Sequence, residues 1–426
     1  MTGELAYRWA GVLYPICRSL TGSGVRQTLA YIKTLLPNLQ IKEVPTGTQA
    51  FDWTVPQEWN IRDAFIEIDG VKVVDFKQHN LHIMGYSEPI DATMSFAELD
   101  KHLYSLPESP DAIPYITSYY KRRWGFCLSE RQRAQLRKQP NKQCRVYIDS
   151  ELIDGHLSYG ELLLQGETND EILLTANICH PSLANNELSA PVVATAIAQW
   201  LETAPRRFSY RILYLPETIG SIVYLFQHLE WLKKHLIAGF VLSCIGDNGD
   251  YSHVASRYGD TLADRVAKYA LEHITSDYKE YSFLQRGSDE RQFCSPGVEL
   301  PVCGLCRTKY GEYPEYHTSL DDMSFISPAG LQGGINLVKN CIVLLENNRV
   351  YKNVFACEAQ LGKRGLYPTV STKDSVAQTR DMMNLLAYAD GTNDLMNIAD
   401  IVRASPFSLI DVANRLVEAG VIREVV

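Results

Sequence analysis

Two apolar periodicities alternate along the second half of the chain. EILLTANIC is a short unbroken apolar run, the pattern of a strand covered on both faces. APVVATAIAQWLET then places Val192, Ala196, Ile197, Trp200 and Leu201 at helical spacing. The rhythm repeats in YRILYLP and SIVYLFQHLEWLKKHL, in GFVLSCIG and TLADRVAKYALEHI, and in LPVCGL and PAGLQGGINLVKNCIVLLEN. Such alternation predicts an α/β fold with a mixed, mainly parallel sheet and helices on both faces. Residues 3–18 and GVRQTLAYIKTLL read as helices and NLQIKEVP as a strand, so 1–48 and 160–350 are expected to form one discontinuous domain.

The pattern changes between 49 and 159. Short alternations such as FDWTVP, AFIEIDGVKVVDF and CRVYIDSEL, rich in aromatics and Pro, predict an inserted β-rich domain. The Asp-Gly in IEIDGVKVV predicts a hairpin, and FAELDKHLYSL is the clear helix of the segment. Over 361–426 three helical patterns end in a short strand, with Gly420 placed as a helix C-cap, which outlines a winged helix-turn-helix.

Composition narrows the function classes. At 426 residues the chain is too long for one ordinary domain. A net charge of −9 argues against a general nucleic-acid binder. The terminal segment 361–426 has seven Lys and Arg against eight Asp and Glu, so it reads as a docking or dimerisation module, not a DNA reader. No segment approaches the length of a membrane span, and the first residues lack a basic region followed by a long apolar one, so the cytoplasm is the default expectation. The ten cysteines show no framework spacing, and the close pair Cys303 and Cys306 reads as two reduced strand thiols.

In a doubly wound sheet, chemistry collects where strands end. His180, Glu217, Asp247 and His317 follow the four predicted strands in turn. Two His, one Glu and one Asp on one sheet edge are ligands of the type a catalytic zinc takes.

These residues sit in motifs that resemble the co-catalytic zinc aminopeptidases, the group of bacterial leucyl aminopeptidase, glutamate carboxypeptidase and glutaminyl cyclase. YHTSLDD is similar to that group's Tyr-His-Thr-x-x-Asp ending; GSDERQF, ANNELSA and PETIGS resemble three further segments. HPSLANNELS, SPGVELPV and YPEYHTS look like a bacterial subfamily with an inserted β-rich domain and a C-terminal winged helix, often linked by gene context to surface-polysaccharide biosynthesis. The resemblance implies a zinc-dependent hydrolase of a peptide or amide bond. Zinc would be held by His180, Asp247 and His317, with Asn186 at the position of the group's metal-bridging Asp. Glu217 would be the general base, and Asp321 would orient His317. Arg286, Asp289, Arg291, Tyr313 and Tyr316 are the implied contacts to a peptide or aminoacyl-type substrate. The chain departs from the pattern at Asn186, at Pro216 where the group has a second Glu, and at Ala190. A neutral amide does not balance two zinc ions as a carboxylate does, so one zinc is expected, with two the alternative. The competing expectation is a metal-binding, peptidase-like scaffold with weak or no catalysis.

Overall fold

The apolar runs of the second half become the centre of an eight-stranded sheet in the computed structural model, which describes residues 2–366 and 373–425. Its strands are β1 (Gln40–Pro45), β2 (His156–Leu164), β3 (Glu171–Asn177), β4 (Ser209–Leu215), β5 (Leu236–Leu242), β6 (Ser252–Val254), β7 (Lys279–Tyr281) and β8 (Val302–Cys306). They lie in the order β1-β2-β4-β3-β5-β8-β6-β7. Strands β3, β4, β5 and β8 run parallel, with Leu174 facing Ile212 on one side and Phe240 on the other. Every residue of β3 and of β4 is buried, as strands covered on both faces must be. Their carboxyl ends therefore point to one edge, and the segments after Asn177, Leu215, Leu242 and Cys306 meet there. The helices are α1 (Gly3–Leu13), α2 (Ser23–Leu35), α3 (Ser189–Thr203), α4 (Ile219–His235), α5 (Leu262–Ile274) and α6 (Pro328–Asn347). Helix α1 stops at Leu13, short of the expected 18.

The segment expected to be a separate β-rich domain does form its own four-stranded antiparallel sheet, from Glu58–Ile68, Val71–Asp75, Ile90–Ser95 and Gln143–Ile153. Its hairpin turns at Asp69 and Gly70, both at positive φ, as a two-residue primed turn requires. Its core is continuous with that of the large sheet, however. Ile66, Val146 and Ile148 belong to one apolar cluster with Leu157, Tyr159 and Leu213 of the large sheet. A second helix in the insert, Glu130–Leu136, is capped by a reciprocal Ser129–Gln132 pair, which its polar sequence does not advertise.

One ion pair ties the insert to α2. Glu58 accepts from Arg26 Nη1 at 2.9 Å, Asn60 Nδ2 at 3.0 Å and the His156 N–H at 3.1 Å. Burial alone would raise its carboxyl pKa, but these donors outweigh burial and hold it at about 2. A carboxyl depressed in the fold stabilises above its ordinary value of 4.5 and loses that contribution as pH falls towards 2. Glu58→Gln should lower stability at pH 7 by about 1–2 kcal/mol, discounted for the partly exposed Arg26. The gap to the parent, read by chemical denaturation, should narrow below pH 4.5.

The terminal unit is a three-stranded sheet ordered Asp390–Asp394, Val350–Asn353, Ile422–Glu424, packed with helices Lys373–Tyr388, Leu395–Val402 and Pro406–Glu418. Its central strand precedes residue 361, so the unit starts earlier than its helical periodicity indicates; a four-residue strand, VYKN, carries too short a pattern to read. Gly420, at φ 64°, closes the last helix: its N–H reaches the Val417 carbonyl at 2.9 Å and the Val421 N–H the Leu416 carbonyl at 2.9 Å. The exposed side of that helix carries Asp411, Arg415 and Glu418, one cation against two acids.

Candidate metal centre

His180 lies three residues beyond β3, and two contacts fix it. Its N–H donates to Glu187 Oε1 at 2.8 Å, and Nδ1 lies 2.6 Å from Glu187 Oε2. Glu187 is buried in a π-helical turn, Ala184–Leu188, that opens α3. With Nδ1 committed to a carboxylate, Nε2 is the nitrogen left to ligate. Burial disfavours a charged His180, but Cys179 and Glu187 outweigh it and raise the imidazole pKa. Cys179, His180 and Glu187 place ligand atoms within 4.8 Å of one another, yet the Nδ1 of that group is already taken by Glu187.

Glu217 reaches the same place from the end of β4. Its Oε2 is 3.8 Å from His180 Nε2. Two ligands of one zinc, each about 2.0–2.2 Å from it, lie at most about 4.3 Å apart, so this separation fits a shared ion. Burial raises the Glu217 carboxyl pKa. The next residue, Thr218, sits at φ 66° and ψ −76°, a left-handed position for a β-branched residue. Asp289 Oδ1 holds its N–H at 2.8 Å and Arg291 Nη2 its hydroxyl at 2.5 Å. Strain of this kind persists where the surroundings enforce it.

His317 completes the group. Its ring centre is 5.3 Å from that of His180, Tyr316 stacks on it at 3.9 Å, and its Nε2 is buried without a hydrogen-bond partner. Burial and the charge of His180 push its pKa down to about 3, which favours the neutral imidazole that a metal ligand must be. The backbone here is at φ 56° and is latched by the insert: the Tyr115 N–H donates to the His317 carbonyl at 2.8 Å, and Ile113 and Ser319 exchange two further bonds. The Tyr115 ring stands edge-on to both imidazoles, at 4.9 Å and 5.2 Å. His180, Glu217, His317 and Arg291 open onto one cavity of about 570 Å³, walled by Tyr115, Tyr119 and Tyr120 of the insert.

The other residues expected at the site take varied places. Asp247 is engaged by groups of the neighbouring loops. Its oxygens are held by Asn185 Nδ2 at 2.9 Å, the Gly249 N–H at 2.7 Å, and the N–H and hydroxyl of Thr308 at 3.1 Å and 2.6 Å. Asp321 does not orient His317; its carboxylate accepts the N–H groups of Asn185 at 2.6 Å and Asn186 at 2.9 Å and so caps the turn that carries Glu187. Asn186 Oδ1 is buried without a partner, while its amide nitrogen faces Cys244 Sγ at 3.8 Å. Asp289 is fully buried behind Thr218, and burial with the nearby Glu217 pushes its carboxyl up to about 7. Arg286 is exposed and turned onto Phe283. Tyr313 is buried against Cys244 and Asp321, and Tyr316 backs His317. Of the implied substrate contacts, Arg291 is the one that lines the cavity. Two residues carry roles that the motifs do not announce. Glu187 is seven positions after His180 within HPSLANNE, and Tyr115 is about two hundred residues from its partner His317.

Comparison with known proteins gives the chain's family and fold. The family model described as a domain of unknown function, DUF4910, matches residues 7–348, and a winged helix-turn-helix model matches 349–424. A Clostridium acetobutylicum protein, named as a candidate polysaccharide biosynthesis protein with an aminopeptidase-like domain, is 43% identical over 401 residues, 93% of this chain and 91% of its own. A crystal structure of a candidate peptidase from the same organism superposes with a TM-score of 0.93 at 41% identity, covering 99% of this chain and 96% of that one. A zinc aminopeptidase from Bacillus subtilis shares the fold, with a TM-score of 0.58 at 14% identity over 80% of this chain and 94% of that one.

Proposed function

Since the chain belongs to the DUF4910 family and carries an aminopeptidase-like fold with a C-terminal winged helix, we propose that it is a zinc-dependent hydrolase of a peptide or amide bond. The observation that carries this reading is that His180, His317 and Glu217 line one cavity, with Glu217 Oε2 3.8 Å from His180 Nε2, the two imidazole centres 5.3 Å apart, and the His317 Nε2 buried and unpartnered. Two imidazoles and a carboxylate match the three-ligand set of a catalytic zinc, which keeps one position open. When bound, zinc would polarise the scissile carbonyl and make a water acidic enough to attack. Glu187 fixes the His180 tautomer, and Tyr115 with Tyr316 fixes the His317 ring. Glu217 is the one carboxylate lining the cavity among the described residues. As the general base, Glu217 would receive the proton of the attacking water and return it to the leaving amine; as a metal ligand it would instead complete the donor set of the two histidines. Arg291 presents a cation to an acidic group of the substrate.

Pro216, where the resembled group has a second carboxylate, supports a second reading: a metal-binding scaffold in which hydrolysis is weak or lost. The name of the C. acetobutylicum relative supports placing either activity in polysaccharide biosynthesis. The terminal unit, with its acidic helix face, serves docking or dimerisation in this reading and not duplex DNA.

Protein purified without added metal should hold about one zinc per chain. It should release amine from aminoacyl amides, and a chelator should abolish that release. Absence of zinc at saturating free metal overturns the proposal. Zinc without hydrolysis leaves the scaffold reading.

A further inference from the structure

The cavity does not stop at the metal ligands. Tyr115 and Tyr119, joined hydroxyl to hydroxyl at 2.7 Å, lead from the imidazoles to Tyr120, whose ring meets that of Trp53 at 5.8 Å. Tyr120 is 54% exposed and Trp53 38% exposed, and both line the cavity. Trp53 is carried on a small hairpin, Gln49–Ala50 with Trp53–Thr54, whose tip residue Phe51 is 51% exposed and held at φ 52°. A bulky aromatic at positive φ is a strained backbone position, and the Phe51 ring packs edge-on to that of Phe226 at 5.4 Å, which anchors the hairpin that carries Trp53. Beyond Tyr119 and Tyr120, which it shares with the cavity, lies a second hollow lined by polar groups that include Gln57, Ser118, Lys121 and Arg122.

Large exposed rings continuous with a catalytic-type cavity indicate a ligand. The chemistry of the rim selects its class. An apolar side chain would be held by an enclosed apolar pocket free of donors. Here the exposed rings of Trp53 and Tyr120 adjoin a hollow with amide, hydroxyl and cationic groups, among which Arg122 donates to Gln57 and Ser118 to the Lys121 carbonyl; rings beside polar groups suit a molecule with an apolar C–H face and an edge of hydroxyls. We propose that Trp53, Tyr120 and the adjoining polar hollow form a saccharide subsite. The bond cleaved at the metal ligands then lies in an amide or aminoacyl group attached to a sugar. This deepens the hydrolase reading and rests on it for the reaction, but the subsite is tested by binding alone.

The probes are hexose, hexosamine and N-acetylhexosamine mono- and disaccharides, titrated against the full chain by saturation-transfer NMR, with a phenylalanine-containing dipeptide amide as the competing class. At least one saccharide should bind, and Trp53→Ala and Tyr120→Ala, both at exposed positions, should each weaken it about tenfold, the worth of one stacked ring. Zinc content, measured on the same samples, should not change. Failure of every saccharide to bind, binding unaltered in both variants, or loss of dipeptide binding in place of saccharide binding overturns the subsite. Saccharide binding that follows the rings in a protein without zinc or hydrolysis keeps the subsite and removes the hydrolase reading.

Discussion

His317→Gly should leave the protein without stoichiometric zinc, whereas Asp247→Asn should keep it. Glycine adopts the φ of 56° at position 317 without strain, so the substitution removes the imidazole and spares the backbone. The site then has one nitrogen and one carboxylate oxygen in place of three donors, and the loss should exceed the roughly 10–100-fold that follows removal of a group merely behind a ligand. At Asp247 four donors already occupy the carboxylate. Each oxygen accepts from two of them, so an amide turns its NH₂ towards a pair of donors and leaves at least one unsatisfied, at a cost of about 1–3 kcal/mol in stability. The two variants thus separate: the first loses zinc together with the stability that the metal and the stacked ring contribute, and the second loses stability with zinc retained. Zinc analysis and thermal unfolding on matched samples read both. Loss of zinc from a folded Asp247→Asn protein would restore Asp247 to the ligand set.

The difference between those two residues marks how far the sequence could be read. Strands β3 and β4 are unbroken apolar runs, and the rule that parallel strands bring their carboxyl ends to one edge does the rest, so His180, Glu217 and His317 were legible as a group. The same rule says which edge a residue reaches and nothing of where its side chain turns. After β5 the chain passes Cys244 at φ 47°, and Asp247 ends among loop donors that no spacing foretells. The insert was legible as β-rich from its alternation and its Asp-Gly turn. Its sharing of the large core, and its latch on His317 through Tyr115, depend on contacts between distant segments. Glu187 was hidden for a different reason: in ANNELSA the eye goes to Asn186, where the resembled group has its bridging Asp, and passes over the carboxylate beside it.

That carboxylate supports the other large effect. Glu187→Gln should weaken zinc binding roughly 10–100-fold without removing any ligand. The carboxylate accepts twice, from the His180 N–H and from Nδ1–H. Glutamine has one acceptor oxygen; if it stays on the N–H, its NH₂ faces Nδ1 and donates to it. The imidazole proton then moves to Nε2, the nitrogen that points to Glu217, and a protonated nitrogen cannot ligate. Arg18 is affected as well. It is buried, donates to the His180 carbonyl at 3.0 Å and to the Leu13 carbonyl at 2.7 Å, and has Glu187 as a nearby opposite charge, so stability should fall by about 1–3 kcal/mol. Glu187→Asp, which keeps the charge on a shorter stem, should recover the stability linked to Arg18 more fully than the zinc affinity. Competition with a chromophoric chelator gives the affinity and denaturant unfolding of the metal-free protein gives the stability. Equal zinc affinity in Glu187→Gln and the parent would mean that Nδ1, and not Nε2, is the nitrogen turned to the metal.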